Sequence, residues 1–114
     1  MLRGALLATF AGVALACGDG PSDPCEDPVS FASTIRPEVT LPYCEGCHAS
    51  TLSGVARNGA PAGYDFDDPQ RVSALAFELA NAITSGTMPP SRYSAPSAAE
   101  RERVVEWRRC GYAP

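Results

Sequence analysis

The chain reads as an all-α domain of three or more short helices. No segment alternates polar and apolar residues with period two, several segments repeat apolar residues at helical spacing, and capping and stopping residues bracket those segments. The first element is set by Asp27-Pro28, an N-cap and first-turn proline pair, followed by Phe31, Ile35 and Val39 four residues apart on one face. Pro37 interrupts it, which predicts a kink or two short turns rather than one straight helix. The second helix follows Asp68-Pro69. Its stripe is Val72, Leu75, Ala76, Leu79 and Ile83, and Gly86 is its stop. The third opens on the capping box Ser97-Ala98-Ala99-Glu100, places Val104 and Trp107 on one side with Glu102 and Glu106 on the solvated side, and ends at Gly111. A long loop over residues 49–67 joins the first two elements, and neither an internal repeat nor a second domain is visible.

Composition narrows the functional classes. With 114 residues, nine Arg, no Lys, thirteen Asp plus Glu and a net charge of −4, the chain builds one small domain and lacks the basic surface that binding to nucleic acid requires. Hydrophobic residues at 45% and charged residues at 19% support a core, while eleven Pro and ten Gly imply much loop. A core of this size calls for a staple or a cofactor.

The N-terminus has the form of an export signal over residues 1–16. Arg3 supplies the positive charge, and Ala5 to Ala16 is an uncharged apolar run of twelve residues, too short to span a bilayer. Two kinds of cleavage fit. Ala14-Leu15-Ala16 suits ordinary signal peptidase, while Cys17 directly after it is placed like the lipidated cysteine of bacterial lipoproteins. Residues 17–27, rich in Gly, Asp, Pro and Ser, form a flexible tether to a folded domain over residues 28–114. The tether suits a lipid on Cys17 and hence an anchor on the periplasmic side of a bacterial membrane.

The chemistry lies in Cys44-Glu45-Gly46-Cys47-His48. Two cysteines at this spacing can each add across a vinyl group of haem to form thioethers, holding the adjacent His48 beneath the iron as axial ligand. A thioredoxin-type dithiol would need a strand before the motif and a helix after it. A zinc site would have to recruit Cys17, Cys25 or Cys110 at unsuitable spacing. After removal of residues 1–16 one His and one Met remain, so Met88 is the strong candidate for the second axial ligand. It lies in Gly86-Thr87-Met88-Pro89-Pro90, where Pro89 favours an extended Met88 aimed away from the helix axis. The competing role for this methionine is core filler.

Cys44-x-x-Cys47-His48, Met88-Pro89-Pro90 forty residues beyond His48, and a final helix bearing Trp107 together resemble a small class I monohaem cytochrome c, over roughly Val29 to Tyr112. The stretch Arg57 to Asp67 is similar to small bacterial cytochrome-like lipoproteins. The resemblance implies a cytochrome c fold of short helices around one covalently attached haem c, its first and last helices crossing and its iron held between His and Met. It also implies that a loop proline, here Pro61, offers its carbonyl to the ring N–H of His48. Tyr64, Phe66, Leu52, Leu79 and Ile83 can wall the iron from water, and Arg57 can pair with a haem propionate or remain a solvated loop residue. Trp107 packs against Phe31 or Ile35 where the terminal helices cross.

Two strong axial ligands leave iron no open position, so the expected task is one-electron transfer by a monomeric carrier rather than catalysis. The alternatives are a five-coordinate gas sensor or weak peroxidase, should Met88 be loosely held, and an accessory electron-transfer subunit of a larger complex. An acidic surface favours redox partner proteins with a basic docking patch. Of five cysteines, two serve haem and Cys17 serves lipid, leaving Cys25 and Cys110. The helix crossing implied by the resemblance would bring these two within reach of a disulfide; the alternative is two free thiols.

Overall fold

The computed structural model describes residues 22–114 and, before them, Gly12, Val13, Gly18 and Gly20. The other residues expected to form an export signal, and Cys17, the expected site of a lipid, lie outside the described residues. Among the described residues the structure is helical, with no strand, and no helix is long and apolar enough to cross a membrane.

The first element differs from its expected form. Residues Phe31–Thr40 make a continuous π-helix that includes Pro37 and runs directly into a single α-turn, α1, Leu41–Tyr43. Its hydrogen bonds reach back five residues, from Ile35 N–H to the Ser30 carbonyl at 3.1 Å and from Leu41 N–H to the Arg36 carbonyl. In an α-turn the Pro37 ring would meet the carbonyl four residues back, and the wider turn relieves that clash. The N-cap is Ser30, whose side chain accepts from the Ser33 N–H at 3.1 Å, and not Asp27. Order also begins earlier than Pro28. Cys25 N–H donates to the Asp23 carboxylate at 2.9 Å, and a disulfide joins Cys25 to Cys110 with their Cα atoms 5.3 Å apart.

The later helices form where their punctuation falls. Helix α2, Pro69–Thr84, is capped by the Asp68 carboxylate on the Gln70 N–H, and Gly86 takes the left-handed φ of +77° that stops it. Helix α3, Ala98–Arg109, carries the complete capping box: Ser97 Oγ accepts from Glu100 N–H at 3.2 Å, and Glu100 accepts from Ser97 N–H at 2.6 Å.

Helix α3 packs on both α2 and the π-helix. The core joins Phe31, Ile35 and Val39 to Val72, Ala76, Leu79, Ala80 and Ile83, with Val104 and Trp107 from α3. Phe31 and Trp107 ring centroids lie 6.2 Å apart, and both Phe31 N–H and Trp107 Nε1–H donate to the Ala113 carbonyl at 2.8 Å. The terminal segments are thus stitched together by the same aromatic pair that fills the core between them.

Candidate functional site

Cys44 to His48 leaves α1 as a compact turn. The N–H groups of Cys47 and His48 both reach the Cys44 carbonyl, at 3.1 and 2.9 Å, while Cys44 N–H bonds back to Thr40. Glu45 is fixed beside this turn by an ion pair with Arg36 at 3.0 Å, which holds the arginine above its ordinary pKa. Cys44 is buried, and burial pushes its thiol up to about 12. A redox dithiol needs a thiolate stabilised near neutral pH, and a helix, not a strand, precedes this motif, so its setting does not suit thioredoxin-type chemistry. Cys47 is half-buried and its sulfur accepts from Asn58 Nδ2 at 3.4 Å.

His48 is clamped on two sides. Its Nδ1 donates to the Tyr64 carbonyl at 2.9 Å, its own carbonyl accepts from Phe66 N–H at 2.8 Å, and its ring lies 4.8 Å from the Phe66 ring. Because a carbonyl only accepts, the proton sits on Nδ1, which leaves Nε2 as the ring nitrogen with a lone pair for a metal.

The expected partner of His48, the Pro61 carbonyl, is engaged elsewhere, and this corrects the assignment. It accepts from Arg57 Nη2 at 2.7 Å. Arg57 itself is only 6% exposed and is committed to the loop rather than available to a propionate. It donates to the carbonyls of Ala49 at 2.9 Å, Ala60 at 3.1 Å and Tyr64 at 3.3 Å, and pairs with Asp65 at 2.8 Å. The 3₁₀ turn Gly54–Arg57 delivers it, and Asn58 and Gly59, with φ of +49° and +87°, turn the chain back so that these carbonyls converge. The Tyr64 carbonyl, Asp65 and Asn58 take part in this hydrogen-bonded arrangement, and sequence reasoning did not assign them there. The Asn58-Gly59 turn signal was the one trace of this arrangement.

A cavity of about 730 Å³ opens beside the motif, within the ~300 to 1,000 Å³ range of small-molecule and cofactor sites. Cys44, Cys47 and His48 line it together with Met88, Tyr64 and Phe66. Helix α2 supplies Leu75, Leu79, Ala82 and Ile83, so one edge of its apolar stripe faces the cavity and the other the core. Met88 arrives just past the α2 stop, held by its N–H on the Ala82 carbonyl at 3.1 Å, and is 40% exposed. Leu52 is not part of this wall; its carbonyl lies within reach of Arg57 instead, at 3.4 Å. Among the described residues the cations lining the cavity are Arg57 and Arg92, and Arg92 is exposed, stacked 4.8 Å over Tyr93.

The zinc alternative loses two of its candidate ligands. Cys25 and Cys110 are consumed by their disulfide, and among the described residues no three His, Cys, Asp or Glu side chains are grouped to hold a metal ion. Comparison with protein-family models, curated proteins and solved structures gives no match.

Proposed function

We propose that this chain is a small class I monohaem c-type cytochrome that carries single electrons on the outer side of a bacterial membrane, anchored by a lipid on Cys17. The observation that carries this reading is that Cys44, Cys47, His48 and Met88 line one cavity whose other walls are largely apolar. The residues fit the group in kind: two thiols at thioether spacing, an imidazole with its tautomer fixed, and a thioether sulfur.

Haem, when bound, supplies a one-electron couple at its iron. Cys44 and Cys47 would hold it through thioethers. His48, oriented by the Tyr64 carbonyl, and Met88 would ligate its iron, and Phe66, Leu79 and Ile83 would keep water away, which would raise the reduction potential. With Arg57 committed to its loop, Arg92 is the cavity guanidinium left to meet a haem carboxylate. Tyr64, Met88 and Tyr93, each about two-fifths exposed, stand at the cavity. A redox partner would approach there, its basic patch drawn by the acidic net charge.

The test is a reduced-minus-oxidised spectrum of the full chain produced with haem-attachment machinery. A sharp α-band of haem c with a weak methionine-to-iron band supports the reading; protein without covalently bound haem overturns it. The exposure of Met88 favours testing a second reading in the same sample, a five-coordinate sensor or weak peroxidase, which would show a high-spin spectrum and bind carbon monoxide when reduced.

A further inference from the structure

We infer that Arg57 and Asp65 set the electron-donating strength of His48 through the Tyr64 carbonyl, as positioning residues with opposite effects on the reduction potential. This rests on the haem reading above. The Tyr64 carbonyl oxygen is shared: His48 Nδ1 donates to it at 2.9 Å and Arg57 Nη2 at 3.3 Å. A carbonyl that already receives a cationic donor is a weaker acceptor for a second one, so Arg57 restrains the imidazole from acquiring anionic character. Less anionic character means weaker donation to iron and a ferrous state favoured relative to ferric.

The same guanidinium also bonds the Ala49 carbonyl, one residue after His48, at 2.9 Å, so it grips the chain on both sides of the His48–Tyr64 hydrogen bond. Its charge is almost fully buried and is balanced by Asp65 at 2.8 Å. In so dry a place the balance between the two charges is felt strongly. Arg57 therefore pulls the potential up, and Asp65 pulls it down by the opposite charge.

The opposition of sign separates this from a purely structural role. If the pair only braced the loop, breaking it at either end would loosen the wall, admit water and lower the potential in both variants. The experiment is a redox titration of haem-loaded wild type, Arg57→Met and Asp65→Asn, with the iron–histidine stretching frequency read by resonance Raman in the reduced forms of the same proteins carrying Met88→Ala, where the iron is five-coordinate. Asp65→Asn keeps every carbonyl hydrogen bond of Arg57. It should raise the potential, by about threefold or more in the reduced-to-oxidised ratio at fixed poise, about 28 mV at 59 mV per tenfold. Arg57→Met should lower the potential and raise the stretching frequency. Should Arg57→Met fail to fold, Asp65→Asn decides alone: a potential that falls or stays unchanged overturns the inference. A wild type with no haem c spectrum overturns the parent reading, and the inference with it. A normal wild-type spectrum with same-sign shifts overturns the inference only.

Discussion

The Tyr43 hydroxyl donates to the Glu100 carboxylate at 3.0 Å across 57 residues of sequence. One wall of the cavity is thereby tied to the capping box that starts α3. The hydrogen bond raises the tyrosine pKa, and the Ser97 backbone N–H, aided by Tyr43, holds Glu100 below its ordinary value of 4.5.

A pH dependence follows from Glu100. Its folded pKa is depressed, so the unfolded chain binds more protons than the folded one as pH falls. The stabilisation is complete above the ordinary glutamate value and is lost as pH drops through the folded one. Urea unfolding at a series of pH values should therefore show the wild type losing more stability between about pH 6 and about pH 3 than Glu100→Gln does. Equal slopes would sink the assignment.

Met88→Ala should remove the sixth ligand while leaving haem attached. The expected outcome is a lower reduction potential, loss of the methionine-to-iron band and carbon monoxide binding in the reduced state. His48→Ala should prevent any stable low-spin haem. An unchanged spectrum in Met88→Ala would remove the methionine from the site.

The Cys25–Cys110 disulfide spans a sequence separation of 85. Replacing both cysteines with serine should cost about 2 to 5 kcal/mol, mainly through greater freedom of the unfolded chain. Denaturant midpoints measure the loss, and alkylation of the non-reduced holoprotein with peptide mass analysis checks the bond itself. Label on both cysteines would show it absent.

Mass spectrometry of the mature N-terminus tests the anchor. A diacylglycerol-modified Cys17 is the expected first residue. An unmodified Cys17, or a start at another position, would leave the domain without its proposed membrane attachment.

The boundaries of α2 and α3 were legible because their signals are local, whereas the Asp27-Pro28 pair did not mark the start of the first element, which Ser30 caps. Asp68-Pro69, the Ser97 to Glu100 box and Gly86 each act within a single turn, and the structure places α2 and α3 between them. The stripe of α2 also marked the core, although its cavity edge at Leu75 looked no different in sequence from the buried positions. The π-helix was not legible because Pro37 signals only that an α-turn is costly there, and the choice between kinking and widening depends on the packing of Phe31, Ile35 and Val39. The support beneath His48 was hidden for another reason. Arg57 works through backbone carbonyls, and carbonyls carry no residue identity, so Tyr64 and not Pro61 became the partner of His48 by loop closure alone.

The disulfide also determines how this domain bears tension. Any pull on the chain ahead of Cys25 enters at that residue and divides, one share continuing toward the π-helix and the other crossing to Cys110 at the end of α3. Past that fork the two routes meet again at the Phe31–Trp107 contact and the shared Ala113 carbonyl, so the load closes on itself in the terminal stitch. The Cys44 to His48 turn and the Met88 loop lie beyond this closed circuit, and such a pull reaches neither of them directly.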